Sequence, residues 1–434
     1  MLDPSPERTD IISIQASRRA FARPVKLLSK AKLRNAWQKS RDNTIKAGRP
    51  GIDGVSAQHF AARLDTNLQT LTKTLRDGTY GPSRLRAVLI PKPNSEKFRL
   101  ICIPTIRDRI VQRTIVDYLV ENKKFPIYNS SSYGFIKGRG TQSAIARAVV
   151  LRSKYDWCLK TDIEAFFDRI PRAYLKDRVN ASLRVNSLAP LIEKIIDCEI
   201  KEDRLLKPRL LKQGIKPGVG VRQGMPLSPI LANLVLAEFD REVERADIEM
   251  VRYADDILIF FASKAAANEG HDLIKTKLKQ LNLDIPELAD RTKTELRGPQ
   301  EPVDFLGREI IYRASAGGYV SQVSRKQIAK IKLLLEDEYS YDSRRKQNSN
   351  FQDTVVELWR SISSYLGIYK DAYNFAVLDS ELRGAARRII SDIFKEVFGD
   401  TALAKVTDDG RDFLGIGELN VPAPLDDLDM QIDS

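Results

Sequence analysis

The sequence predicts an α+β protein in which antiparallel strands and runs of helix are segregated along the chain. Three observations carry that expectation. Apolar β-formers flank two adjacent carboxylates in Met250-Val251-Arg252-Tyr253-Ala254-Asp255-Asp256-Ile257-Leu258-Ile259-Phe260, which reads as a strand, a tight turn at Ala254-Asp255-Asp256 and a second strand. A second hairpin is written in residues 84–91 and 98–103, joined by Pro91-Lys92-Pro93-Asn94-Ser95-Glu96-Lys97. From 324 to about 399 the pattern becomes helical throughout, three or so helices with basic stretches at Arg344-Arg345-Lys346 and Arg387-Arg388.

The remaining elements follow in order. Residues 11–46 read as a basic helical region in which Arg18, Arg19, Arg23, Lys26, Lys30, Lys32, Arg34, Lys39 and Arg41 punctuate an apolar set, a pattern suited to phosphate contact. Gly48-Arg49-Pro50-Gly51-Ile52-Asp53-Gly54-Val55-Ser56 is a loop, and Ser56 caps a helix that runs to about Arg76 and closes at Asp77-Gly78. Residues 107–123 form an amphipathic helix. A glycine-rich basic loop, Tyr133-Gly134-Phe135-Ile136-Lys137-Gly138-Arg139-Gly140, leads into a helix over 141–152. Trp157-Cys158-Leu159-Lys160-Thr161-Asp162 is a strand ending in an acid, with Phe166 and Phe167 close behind. Residues 172–198 read as helical and 199–221 as loop or hairpin. Arg222-Gln223-Gly224-Met225-Pro226-Leu227-Ser228-Pro229 is a turn that opens a helix over 230–244, whose first-turn donors suit anion or backbone contacts. A helix over 264–281, a short strand over 303–310 broken by Gly307, and a polar acidic stretch over 401–434 complete the chain.

Composition narrows the function classes. The 434 residues are 42% apolar and 30% charged, as in a soluble globular protein of two or three subdomains. No apolar run is long enough to span a bilayer, and the N-terminus lacks the pattern of a secretory signal, so a cytoplasmic protein without membrane contact is expected. Three scattered cysteines argue against a disulfide framework, and two histidines leave no zinc or His-based nuclease site. The net charge is +13. Residues 1–50 hold 12 Lys and Arg against 4 Asp and Glu, whereas 401–434 hold 2 against 8. A basic head on a basic body points to a polyanionic partner, most simply nucleic acid.

The adjacent acids suggest the chemistry. Two like charges at a hairpin tip in apolar surroundings repel each other and call for a cation. With carboxylate oxygens and no imidazole or thiolate nearby, that cation is Mg²⁺. Taken alone, the pair reads equally well as a solvated Asp-Asp turn. Asp162 also ends a strand. Were the two strands neighbours, Asp162 and Asp255 could share two ions about 3.5–4 Å apart, the arrangement for in-line phosphoryl transfer. Lys92, Lys97 and Arg99 on the basic hairpin would then clasp a triphosphate.

Several boxes, in order, give the sequence a family resemblance: Gly51-Ile52-Asp53-Gly54-Val55-Ser56, Ile90-Pro91-Lys92-Pro93, Ile103-Pro104-Thr105-Ile106-Arg107-Asp108-Arg109-Ile110-Val111-Gln112, Ser132-Tyr133-Gly134-Phe135, the segment from Asp162 to Asp168, Gln223-Gly224-Met225-Pro226-Leu227-Ser228-Pro229, Tyr253-Ala254-Asp255-Asp256 and Phe305-Leu306-Gly307. Together they resemble the bacterial reverse transcriptases of the group II intron and retron-like lineage. The resemblance implies a right-hand polymerase with fingers, an antiparallel palm and a helical thumb. It divides the chain into a basic N-terminal extension (1–47), fingers (48–155), palm (156–312), thumb (313–400) and acidic tail (401–434). It implies that Asp162 and Asp255 ligate two Mg²⁺ ions with the Ile163 carbonyl, and that Asp256 supports them. Lys92, Lys97 and Arg99 would hold the triphosphate, and Gln223 would lie against the nucleotide. Phe167 would exclude a 2′-hydroxyl, and Lys293 would protonate the leaving pyrophosphate. Leu306 and Gly307 would hold the primer end, with Arg18, Arg19 and Arg23 on primer-template phosphates.

The expected activity is RNA-directed DNA synthesis from deoxynucleotides, giving cDNA on a structured non-coding RNA template. The box after Gln223 departs from the Gly-Gly form frequent in intron enzymes, and the chain leaves little room for a maturase region. Antiphage defence by a free-standing enzyme is therefore the expected role. An intron-splicing maturase and a non-polymerising RNA-binding scaffold are the rivals. Oligomeric state and priming are left open.

Overall fold

The structure is a computed structural model that describes residues 27–91, 98–183, 188–201, 203–289 and 292–413. It divides into two compact units, one drawn from Met1–Gly140, Lys160–Ile259 and Ala265–Glu295, the other from Thr141–Leu159, Phe260–Lys264 and Leu296–Ser434. The α+β class is as the sequence predicts. Among the described residues no helix is long and apolar enough to cross a membrane.

In the first unit the basic helix Lys30–Ala47 buries Leu33, Ala36 and Trp37, and ends at Gly48 in the left-handed conformation. Ser56 caps the next helix as expected, accepting from the His59 N–H. That helix is not continuous to Arg76. It breaks at Arg63 into Ala57–Ala62 and Leu64–Arg76. The break lets Phe60 pack on Trp37 at 5.3 Å while Leu68, Leu71 and Leu75 reach the core. The first hairpin pairs β1 (Arg86–Pro91) antiparallel to β2 (Phe98–Ile103), with Arg86 opposite Ile103 and Pro91 opposite Phe98. Lys92 and Lys97 lie outside the described residues, as do Arg18, Arg19 and Arg23.

The sheet that carries the acids has four strands, β3 (Trp157–Asp162), β4 (Glu249–Tyr253), β5 (Asp256–Phe261) and β6 (Glu295–Arg297), in the order β4-β5-β3-β6. Two residues join β4 to β5, a connection possible only between antiparallel strands. The helix Ser228–Arg245 is the spine of this unit. Its apolar residues, among them Leu231, Leu234, Val235, Leu236 and Phe239, are buried on nearly every face. A short extended segment adds to the β4 edge: the Arg252 N–H donates to the Ser131 carbonyl and the Tyr133 N–H to the Arg252 carbonyl, each at 2.8 Å.

Two other helical expectations are corrected. Residues 172–198 hold two helices, Arg172–Ser182 and Ala189–Ile196, because Pro190 lacks the N–H of a helix interior and starts a new first turn. Residues 199–221 contain a helix, Leu206–Lys212, with no buried residue. Its apolar stripe is short, Leu206 and Leu210, both only half-buried, and Pro208 between them reads as a helix breaker.

In the second unit, β7 (Val303–Phe305), β8 (Arg308–Arg313) and β9 (Gly318–Gln322) form an antiparallel sheet. The single broken strand expected over 303–310 is thus a hairpin, and Leu306-Gly307 is its turn. Both turn residues have positive φ, 51° and 77°, as tight two-residue hairpin turns require. The helices Arg325–Glu338, Tyr341–Lys346, Phe351–Tyr369 and Phe375–Phe398 close over a core that includes Leu335, Leu358, Ile362, Leu378, Leu382 and Ile390. Ser324 and Asn350 cap the first and third of these. The start of the acidic stretch forms short helices, Asp400–Ala404 and Asp408–Phe413, and the remainder lies outside the described residues.

Gly134 sits behind the acidic turn. A Cβ there would lie 2.6 Å from the Ala254 nitrogen and 3.2 Å from the Tyr253 carbonyl carbon, both immovable backbone. Gly81 has open space around its Cβ position. The expected outcome is that Gly134→Ala destabilises the protein by about 1–3 kcal/mol. Gly81→Ala leaves stability unchanged or raises it by about 0.5 kcal/mol. Chemical denaturation of the two variants checks the difference.

Candidate active site

Asp162 is the last residue of β3 and Asp256 the first of β5, and these strands are neighbours in the sheet. Asp255 stands in the turn before β5. The Ile163 N–H donates to the Asp255 carbonyl at 3.1 Å, stitching the end of β3 to that turn. The acids separated along the sequence therefore meet at one sheet end. Ala254 occupies the left-handed region at φ 59°, an unfavourable conformation for a residue with a Cβ.

The electrostatics of this corner are those of crowded carboxylates. Burial raises the Asp255 carboxyl above the usual range; its own backbone N–H opposes the rise, the nearby Asp162 adds to it, and Lys293 and Arg99 work against it. Burial pushes the Asp256 carboxyl up to about 6, with Lys160 opposing and Asp255 and Asp162 reinforcing. Asp162 is bonded through Oδ2 to the ammonium of Lys293, an exposed side chain. Its other oxygen, Oδ1, is buried and has no hydrogen-bond partner.

That arrangement fits a metal. An ammonium already sits on one Asp162 oxygen, and the other lacks the partner a buried anion needs. Among the described residues no three Asp, Glu, His or Cys side chains are grouped as a cage for an ion. Mg²⁺ does not demand one, since it is commonly held by one or two carboxylates together with substrate phosphates and water.

Around the acids, Arg99 on β2 is exposed and its charge reaches Asp255. The two phenylalanines after β3 divide their work. Phe166 is buried, whereas Phe167 is only partly buried, its ring 5.5 Å from that of Phe166 and nearly edge-on. The Phe167 carbonyl accepts from the Val221 N–H at 2.8 Å, so the segment that leads to Gln223 is tied to the Phe167 backbone. The Gln223 carbonyl accepts from the Cys102 N–H at 2.7 Å. Gly224 follows at φ 99°, and a Cβ there would lie 2.5 Å from the Cys102 carbonyl oxygen. The structure thus brings Asp162, Ile163, Asp255, Asp256, Lys293 and Arg99 to one corner and links the Phe167 and Gln223 segments to each other. Leu306 and Gly307 belong to the second unit, where a Cβ on Gly307 would lie 3.1 Å from the Tyr369 hydroxyl.

Sequence reasoning gave no role to four residues that shape this corner: Lys160, Gly134, Asp240 and Arg252. The last carried a visible signal, a charged residue inside the apolar run Met250-Val251-Arg252-Tyr253. A buried charge requires a buried partner, and Asp240 on the spine helix supplies it.

Comparison with known proteins bears on the same residues. The family model described as reverse transcriptase (RNA-dependent DNA polymerase) matches residues 90–310, about half of the chain. Protein YkfC of Escherichia coli (strain K12) is 29% identical over 324 residues, 63% of this chain and 79% of YkfC. The group II intron-encoded protein LtrA of Lactococcus lactis is 26% identical over 255 residues, 59% of this chain but 38% of LtrA. The retron Ec83 reverse transcriptase of Escherichia coli is 22% identical over 257 residues, 58% of this chain and 69% of that enzyme. With its acids gathered at one end of the sheet and the family model spanning them, this chain belongs to the reverse transcriptase family, the RNA-dependent DNA polymerases.

Proposed function

We propose that this RNA-directed DNA polymerase copies a structured non-coding RNA into cDNA, in the cytoplasm and in the service of antiphage defence. The observation that carries the polymerase site is the meeting of Asp162 and Asp255 with one buried Asp162 oxygen left without a partner. The defence role is supported by the motif resemblance to retron-like enzymes. The likeness to LtrA, an intron-encoded protein, favours a second reading in which the template is an intron RNA. Sequencing the RNA that co-purifies with the protein separates the two.

In this reading Asp162 and Asp255 hold a pair of Mg²⁺ ions, and Asp256 lends negative charge behind them. Bound Mg²⁺ supplies a lowered pKa for the attacking 3′-hydroxyl and neutralises charge on the triphosphate. Arg99, with Lys92 and Lys97 of the same hairpin, orients the triphosphate. Phe167 closes the space that a 2′-hydroxyl would need, and Gln223 lines the nucleotide. Lys293, whose ammonium sits on Asp162, is the group that would donate a proton to the leaving pyrophosphate. Residues 48–155, 156–312 and 313–400 serve as fingers, palm and thumb, with 1–47 and the Leu306-Gly307 turn on the primer-template.

Three outcomes are expected. Asp162→Ala and Asp255→Ala each abolish deoxynucleotide incorporation on a primed RNA template while circular dichroism shows a folded protein; surviving synthesis in either variant would remove that residue from the site. Phe167→Ala raises ribonucleotide use relative to deoxynucleotide use by about 10-fold or more, the scale on which a pocket discriminates by shape; single-nucleotide extension with the two substrates measures it.

The third concerns stability. The Asp256 pKa is about 6 in the folded protein against 3.8 for the unperturbed carboxyl. A raised folded pKa means that the stability present at low pH is lost as pH rises through about 6. The loss amounts to up to about 3 kcal/mol. In chelator, Asp256→Asn should therefore be more stable than the unmutated protein at pH 7 and lose that advantage by pH 4. Denaturation at the two pH values tests this, and an advantage that does not change with pH would contradict it.

A further inference from the structure

Arg252 and Asp240 are both fully buried. Every donor of the guanidinium is used. Nε donates to Asp240 Oδ1 at 2.7 Å, and Nη2 to Asp240 Oδ2 and to Ser132 Oγ, the latter at 2.9 Å. Nη1 donates to Asn233 Oδ1 at 3.1 Å and to the Ala254 carbonyl at 2.9 Å. Asp240 and Asn233 lie on the spine helix, where Asp240 also accepts from Asn129 Nδ2 at 2.8 Å and Asn233 Nδ2 donates to the Gly134 carbonyl at 2.7 Å. One planar group thus joins the helix, the 131–134 segment and the acidic turn.

We infer that Arg252, oriented by Asp240 and Asn233, is a positioning residue for polymerisation: through the Ala254 carbonyl it fixes the turn that aims Asp255. This rests on the polymerase site proposed above. Asp240 takes two of the five guanidinium donors, and of the remaining three one is spent on the acidic turn itself, at the Ala254 carbonyl. The bond to Ala254 adds a restraint at the one residue of the turn with unfavourable φ. The turn is restrained from three directions, by Arg252 on the Ala254 carbonyl, by the Ile163 N–H on the Asp255 carbonyl, and by Gly134 against the Ala254 nitrogen. Strained backbone persists when its surroundings over-determine it. Lysine cannot reproduce the arrangement, because an ammonium has three donors and no fork.

The test uses the full chain with Arg252→Lys and Asn233→Ala. Asn233→Ala keeps the ion pair and removes one of the groups that orient it. Two readouts are taken: Mn²⁺ affinity by calorimetry, which needs no turnover, and single-nucleotide incorporation with Mg²⁺ and deoxynucleotide varied separately. In each folded variant, Mn²⁺ affinity should fall about 10-fold, the scale of losing a group that orients a metal ligand. The kcat should fall by up to about 100-fold, as when a reacting group is displaced by about 1 Å. The deoxynucleotide KM should stay within a factor of about three. If Arg252→Lys does not fold, Asn233→Ala decides by the same readouts. Unchanged Mn²⁺ affinity and unchanged kcat in a folded variant would overturn the inference, and so would a loss confined to the deoxynucleotide KM. An unmutated protein that binds Mn²⁺ but incorporates no nucleotide would sink the polymerase reading instead, while the Mn²⁺ affinities would still decide the role of Arg252.

Discussion

The gathering of Asp162, Asp255 and Asp256 in one largely buried corner is the constraint on which the rest of the first unit depends. Folding brings these acids to one end of a sheet, and burial lifts Asp255 and Asp256 above the usual carboxyl range. An arrangement of this kind relaxes unless something holds it. Here the restraint comes from behind, through backbone hydrogen bonds from Ile163 and the guanidinium of Arg252. The crowding is partly relieved by the Lys293 ammonium, which is bonded to Asp162. A site that is electrostatically uncomfortable when bare is one that gains by binding a divalent metal with its phosphate ligands.

The same logic explains why the spine helix is buried nearly all round. A helix facing solvent on one side would offer its polar residues to water. Asn233, Asp240 and Glu244 instead face the 129–134 segment and β4. Glu244 accepts from the Ser130 N–H at 2.8 Å, and Asp240 meets Arg252. Polar residues on an otherwise apolar helix thereby set the register of the strand that leads into the acidic turn. Buried polar networks of this kind specify one arrangement when every member is satisfied.

Much of this was legible in the sequence. The strand–acid–strand pattern around Asp255 and the strand ending at Asp162 gave the sheet ends, and their motif order gave the family. The hairpin of β1 and β2 followed from two strand-like runs joined by a loop with two prolines, and Ser56 announced its helix. What stayed hidden has physical reasons. The Leu206–Lys212 helix is short, holds Pro208 and half-buries only Leu206 and Leu210, so its periodic signature is weak. Leu306-Gly307 makes a hairpin turn without the Asn-Gly pair that usually marks one, because a leucine there accepts positive φ. Arg252 stood in plain view, but its partner is supplied by a helix that only tertiary structure brings alongside.

The most direct measurement is a crystal of the protein with primed RNA template, Mn²⁺ and an unreactive deoxynucleotide triphosphate, in which the anomalous signal of manganese locates the ions. Manganese is expected on the carboxylates of both Asp162 and Asp255, with Lys293 displaced from Asp162. Manganese bound elsewhere, with the Lys293–Asp162 pair intact, would contradict that assignment.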